Sequence, residues 1–319
     1  MLTSRSAIGR SDLAVSPICL GTNVFGWTAD EATSFAVLDA FIDAGGNFLD
    51  SANIYSAWVP GLSGGESETI IGRWLAKRGR RDDVVIATKI GMAGGPDFPK
   101  GLDRGNIRAG IEASLRRLGT DYIDLYYAHE DDDGTPQEET AAAFDELVAE
   151  GKVRVLGASN FSAERLQTAL DIADRDEFAR YEILQPHYNL VERDFEGELA
   201  DTCVRNEVSV APYFALARGF LTGKYRPDAE LPPSPRSAGI SQQYLNDRGW
   251  SVVRAQDVVA SAHGTTNGAV ALAWLRAQPG VISPIASATS IDQVAGLVEA
   301  VELELTPEEV RLLDGAATV

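Results

Sequence analysis

Cysteine and histidine are scarce in this chain of 319 residues, which holds two and three of them. Each shortage removes a class of function. Cys19 and Cys203 lie far apart in apolar or helix-like surroundings, so they build no disulfide framework and read as buried thiols of a reducing compartment. His129, His187 and His263 share no ligand spacing with one another or with the acidic run Glu130 to Asp133, so no metal is expected. Basic residues are in deficit, 28 against 47 acidic ones for a net charge of −19, and a nucleic-acid or anionic-membrane surface would have to be built against that field. No apolar run approaches the roughly 18 residues that span a bilayer, and MLTSRSAIGRSDLAV lacks the roughly 7–15 apolar residues of a signal peptide. The cytoplasm is the expected address. Two nucleotide-binding signatures are missing too: LGTNVFGWTAD has no G-x-G-x-x-G, and neither Gly64-Gly65 nor Gly94-Gly95 leads into G-K-[ST].

What remains is an ordinary globular composition, 45% hydrophobic and 24% charged. Its pattern is repetitive. After an opening hairpin around Ile8 to Val15 come eight strand-like apolar runs, at 18–22, 47–51, 84–90, 122–128, 153–159, 183–188, 208–214 and 281–286. Helix-period segments near 31–44, 66–78, 104–118, 137–150, 163–174, 195–206, 266–277 and 290–300 follow them. A further helix is expected at 251–262, and TPEEVRLLDGA at 306–316 opens on a Thr-x-x-Glu capping box. Eight apolar strands each followed by a helix predict a (β/α)8 TIM barrel forming one domain over 1–319, since an open dinucleotide sheet would carry the missing glycine signature. A long irregular stretch from Leu216 to Trp250 follows the seventh strand, and GLSGG follows Tyr55. Loops after barrel strands build the active face, so both are candidate cofactor clamps or pocket walls.

Four residue types fall at consecutive strand ends: Asp50, Tyr55 five residues on, Lys89 and His129. Together they can protonate a carbonyl oxygen. A phenol of pKa about 10 donates poorly at neutral pH unless a cation lowers it, which Lys89 can do. Lys89 in turn needs a carboxylate, and Asp50 is placed to be it. His129 can hydrogen-bond and orient the substrate oxygen. Singly, each has an ordinary explanation as cap, surface amine or rim histidine; together, on three neighbouring strand ends, they point to a site. Glu66 and Glu68, which open a helix, are read as dipole partners rather than a glycosidase pair. Residues 208–227 hold Arg218, Lys224 and Arg226 and no acid, a natural phosphate site that Arg236 can extend.

NFLDSANIY, ATK, YYAHE, LGASNF, LQPHYN and YFALARGFLTGKY, in that order, resemble the aldo-keto reductase superfamily over essentially the whole chain. The resemblance implies that Asp50, Tyr55, Lys89 and His129 form the catalytic tetrad. It further implies that Ser159, Asn160 and Gln185 bind a nicotinamide carboxamide, that Tyr213 stacks on the ring, and that Gly21, Thr22, Ala215, Leu216, Arg218, Lys224, Arg236, Ser287 and Gln293 contribute to the cofactor site. Asn23, Phe25, Trp27 and Trp58 are the expected pocket residues, although Asn23 replaces the large aromatic found in many members. Where the best-known members place Lys and Arg against a 2′-phosphate, this chain has Ser287 and Gln293. Members resembling potassium-channel β subunits have such residues and still take NADPH. The expected activity is NADPH-dependent reduction of an aldehyde or ketone, with NADH possible and no metal, acting on a small carbonyl substrate as a monomer or small homo-oligomer. A nucleotide-sensing subunit with little turnover, an NAD-linked alcohol or sugar dehydrogenase, and a Schiff-base enzyme using Lys89 are the alternatives.

Overall fold

A computed structural model describes residues 1–94, 98–227, 229–232, 240 and 243–317. Eight parallel strands form its centre: β3 (Cys19–Gly21), β4 (Phe48–Asp50), β5 (Val85–Ile90), β6 (Ile123–Ala128), β7 (Val153–Ser159), β8 (Tyr181–Gln185), β9 (Ser209–Val210) and β10 (Ile285–Ala286). They are ordered β10-β3-β4-β5-β6-β7-β8-β9. The ends meet: Val281 bridges Val210 in parallel, and Ile285 N donates to the Pro212 carbonyl at 2.9 Å. The sheet is therefore a closed (β/α)8 barrel, as the alternation predicts. An antiparallel hairpin of β1 (Ser6–Ala7) and β2 (Ala14–Val15) precedes it. Ile8, Leu13 and Val15 of the hairpin pack with inward residues of the ring, plugging the end where the strands begin.

Helices cover the outside: α1 (Glu31–Asp43), α2 (Glu66–Arg78), α3 (Arg104–Leu118), α4 (Gln137–Ala149), α5 (Ala163–Asp176), α6 (Glu198–Arg205), α7 (Asp247–His263), α8 (Asn267–Arg276), α9 (Ile291–Glu302) and α10 (Pro307–Ala316). Their starts are chemically marked. Asp30, Ser162 and Thr306 each accept a backbone N–H of the first turn, and Thr306 with Glu309 completes the expected capping box. The strands read as unbroken apolar runs because the barrel interior buries one face and the helices the other.

Three strands miss an end of their apolar runs by three residues or more, for one reason. Pro186, Pro212 and Pro284 have no N–H to give the ladder, so β8 stops at Gln185, β9 at Val210, and β10 begins only at Ile285. The helix expected at 251–262 starts earlier, at Asp247, because the Asn246 side chain caps it through Gly249 N. Gly249 is what hides this start in the sequence: a Cβ there would lie 1.9 Å from the Tyr244 carbonyl, so the close approach excludes a better helix former.

Candidate active site

Side chains alternate along each strand, so residues two apart share a face. Deep in the ring that face is apolar, with Phe48, Ala87, Tyr127 and Ile183 packed around Cys19. Two residues further on, the same inward positions hold Asp50, Lys89, His129 and Gln185. The core turns polar at the strands' C-terminal rim, and that polar layer is the site.

Lys89 is its centre. The side chain has no exposed surface, and Nζ donates to Asp50 Oδ2 at 2.7 Å, to the Ser51 carbonyl at 2.6 Å and to the Tyr55 hydroxyl at 2.7 Å. Three acceptors for three protons define an ammonium. Tyr55, from the turn after β4, donates its own proton to Asp50 Oδ2 at 3.0 Å, and its ring lies 4.6 Å from the Lys89 ammonium. Below Asp50, Thr22 Oγ1 donates to the Asp50 carbonyl at 2.8 Å and meets Ser67 Oγ at 2.7 Å, which also meets Ser51 Oγ at 2.9 Å. This hydroxyl chain fixes the backbone from which the carboxylate hangs.

Burial first, and the Asp50 charge second, push the Tyr55 phenol well above its ordinary range. This reverses the expectation that Lys89 lowers it. Asp50 balances the lysine's charge, so the desolvation of a phenolate decides the sign. Burial lowers the pKa of Lys89 itself, against the pull of Asp50. His129 sits with its ring 6.3 Å from that of Tyr55, and burial, helped by Lys89, holds its pKa well below 6.5. It is a neutral imidazole at pH 7, and its Nδ1 is buried without a hydrogen-bond partner.

Around the rim the structure brings Ser159, Asn160, Gln185 and Tyr213 together. Ser159 Oγ donates to the Gln185 carbonyl at 2.8 Å; Asn160 Nδ2 donates to the His129 carbonyl at 2.9 Å, and Asn160 Oδ1 accepts from the Tyr213 hydroxyl at 2.8 Å. Tyr213 stacks on His187, with centroids 5.1 Å apart and planes 14° apart. Asn23 and Ser287 also meet, Ser287 Oγ donating to Asn23 Oδ1 at 2.8 Å. Trp27 and Trp58 pack edge to face at 6.0 Å, and Trp58 stands equally far from Tyr55, so both are placed to wall a pocket.

Other expected positions are not at the surface of the site. Phe25, Thr22 and Ala215 have no exposure at all: Phe25 and Ala215 belong to the core between ring and helices, and Thr22 belongs to the hydroxyl chain. Gly21 is buried against Ser287, whose Oγ would lie 2.9 Å from an added Cβ. Leu216 packs partly buried against the core. Gln293 is spent on the start of α9, its Oε1 accepting from Thr289 N at 2.9 Å. Arg226 is no free phosphate cation, because it pairs with Asp257 at 3.0 Å. Arg236 lies outside the described residues. Glu68 is more than a dipole partner: fully buried, it accepts from Thr88 Oγ1 at 2.6 Å and from Arg117 Nε at 2.5 Å.

One side of the rim offers unpaired positive charge, which suits an anionic group such as a dinucleotide's phosphates. Arg218 and Lys224 form no ion pair among the described residues, and the Arg218 Nε is buried without a partner. The segment carrying them holds three non-glycine residues, Phe214, Ala217 and Arg218, in left-handed conformations, strain of the kind that clusters at ligand clamps.

The family model described as Aldo/keto reductase family matches residues 17–318. The uncharacterized oxidoreductase YrpG of Bacillus subtilis (strain 168) is 36% identical over 314 residues, covering 96% of this chain and 94% of that protein. Norsolorinic acid reductase of Aspergillus flavus is 33% identical over 316 residues, covering 95% and 78%. A probable voltage-gated potassium channel subunit beta of Oryza sativa subsp. japonica is 34% identical over 313 residues, covering 95% and 93%.

Proposed function

This chain belongs to the aldo/keto reductase family and is an NAD(P)H-dependent oxidoreductase, and from that premise we propose that it reduces an aldehyde or ketone with NADPH, Tyr55 being the proton donor. One observation carries the proposal. The Tyr55 hydroxyl is held between Asp50 at 3.0 Å and Lys89 at 2.7 Å, at the rim where a ligand enters. Bound NADPH supplies a hydride to the carbonyl carbon. Everything else is the work of side chains. Ser159, Asn160 and Gln185 hold the carboxamide, Tyr213 offers a ring face, and Arg218 and Lys224 neutralise phosphate. His129, neutral, hydrogen-bonds the carbonyl oxygen and orients it. As that oxygen gains negative charge, the Tyr55 proton passes to it, and the Lys89 ammonium already bonded to the phenol oxygen steadies the phenolate left behind. The phenol's high pKa suits this role: it keeps the proton in place until the substrate oxygen becomes basic enough to take it.

Lys89 as a Schiff-base amine is disfavoured, since all three of its protons are donated and no lone pair is free. The rice relative's name favours a second reading, a nucleotide-sensing subunit that binds the dinucleotide without appreciable turnover. A panel of aldehydes and ketones, assayed by loss of reduced-nicotinamide absorbance with each cofactor, separates the two. Turnover that vanishes in Tyr55→Phe supports the reductase; NADPH binding with no turnover of any carbonyl supports the subunit.

A further inference from the structure

Asp50 accepts from more than Lys89 and Tyr55. Gln185, at the end of β8 on the far side of the ring, donates Nε2 to Asp50 Oδ1 at 2.8 Å, and both residues are 2% exposed. The amide orientation follows from chemistry: a carboxylate only accepts, so the NH2 end must face it. The carboxylate's two oxygens are thus divided. Oδ2 takes the lysine and the phenol, and Oδ1 takes Gln185.

This division bears on proton release. The proton to be donated is not free in this arrangement; it points at Asp50 Oδ2. To reach a substrate oxygen it must leave that acceptor, and the more basic Oδ2 is, the harder the departure. A donor on Oδ1 draws charge from Oδ2 and weakens its hold. We propose that Gln185 is a positioning residue for proton transfer, acting through Asp50 to loosen the Asp50–Tyr55 hydrogen bond, in addition to any contact with the nicotinamide. This rests on the reductase reading above. The same amide touches both machineries: its Nε2 serves Asp50, and its Oε1 is the acceptor that a carboxamide N–H requires. Cofactor seating and readiness of the phenol proton are then linked through one side chain.

The test uses Gln185→Met and Gln185→Glu in the full chain. NADPH affinity is measured by fluorescence, and single-turnover reduction is followed at saturating cofactor with a 4-deuterated cofactor and, separately, in heavy water. The single-turnover rate of Gln185→Met should fall about tenfold or more, the worth of a hydrogen bond to a charged group, and the solvent isotope effect should rise while the hydride isotope effect does not. Gln185→Glu should keep more of the rate than Gln185→Met, since a new carboxyl buried against Asp50 holds its proton and still donates to Oδ1, and should lose that advantage as pH rises and the proton leaves. A Gln185→Met loss confined to cofactor affinity, or a slower rate with a larger hydride isotope effect and an unchanged solvent effect, would overturn the inference and leave Gln185 as a nicotinamide contact only. Without cofactor, thermal unfolding of Gln185→Met, Asp50→Asn and the double variant should be clearly non-additive; additivity removes the contact on which the inference stands. Failure of the reductase reading shows differently, as an unmodified protein without turnover.

Discussion

The two halves of the barrel rim are built in opposite styles. On the side of β4, β5 and β6, the buried charges are partnered: Lys89 has three acceptors, the Asp50 oxygens have three donors, and a chain of hydroxyls lies beneath. On the side of residues 214–224, Arg218 and Lys224 have no carboxylate among the described residues, and the backbone is strained. A finished network needs no ligand to hold its shape, whereas unpaired cations on a strained segment gain most when an anion arrives. The knitted half is therefore where chemistry is expected to fail under substitution, and the open half is where affinity is.

The largest expected effect tests the knitted half. Tyr55→Phe should lower turnover roughly 10²–10⁴-fold while the NADPH dissociation constant barely moves. An active phenylalanine variant would remove the proposed proton path. Lys89→Met should come next, losing activity and, because Asp50 is left buried without its cation, about 3–5 kcal/mol of stability. Adding Asp50→Asn should recover part of that loss, so denaturant unfolding of the double variant should show clearly less than the summed cost.

Most of the knitted half is legible in the sequence. Asp50, Lys89 and His129 stand where strand-like runs end and Tyr55 lies five residues past the first end, so topology alone gathers them. What escapes is what topology cannot carry. The Gln185–Asp50 bond crosses the ring between residues 135 apart, and no local pattern announces it. Phe25 sits among Asn23, Val24 and Trp27 with no period to tell core from pocket; the structure buries Phe25 and leaves Trp27 half-buried at the rim. The sign of the Tyr55 shift depends on a balance of burial against two opposite charges, which residue types do not set. The strands expected at 183–188, 208–214 and 281–286 run through Pro186, Pro212 and Pro284 and so overshoot, although the missing N–H is written in the sequence.

The two rim histidines sharpen the comparison through pH. Burial lowers both pKa values, that of His129 well below 6.5 and that of His187, which is partly exposed, by less. In both cases the unfolded chain binds a proton below about pH 6.5 that the folded chain refuses. The stabilising contribution of the neutral ring is present above that pH and declines as pH falls toward the folded pKa, at up to about 1.4 kcal/mol per pH unit per histidine. Denaturant unfolding at pH 7 and 5.5 should show a shallower decline in His129→Gln than in the unmodified protein, with a smaller flattening in His187→Gln. Equal slopes in all three would mean that the His129 imidazole takes up its proton in the fold as easily as outside it.

The smallest effects belong to the open half, where single cations tune cofactor choice. Ser287 and Gln293 offer no charge to a 2′-phosphate, and Gln293 is already engaged with Thr289. Among the described residues of segment 214–227 the cations without a carboxylate are Arg218 and Lys224, and a charge-assisted bond to phosphate contributes about 1.5–3 kcal/mol where water is excluded, less for exposed Lys224. NADPH should therefore bind about tenfold tighter than NADH, equivalent to about 1.4 kcal/mol, and added salt should narrow the gap. Lys224→Ala should weaken NADPH more than NADH if its ammonium reaches the 2′-phosphate, and both alike if it meets only the pyrophosphate. Arg236→Ala sorts in the same way. Arg226→Ala is the internal control: its guanidinium is paired with Asp257, so neither dissociation constant should change appreciably. If the Arg226 variant lost as much NADPH affinity as the Arg218 or Lys224 variants, pairing would not distinguish the cations of this rim, and the contrast between a finished half and an open one would fail on its open side.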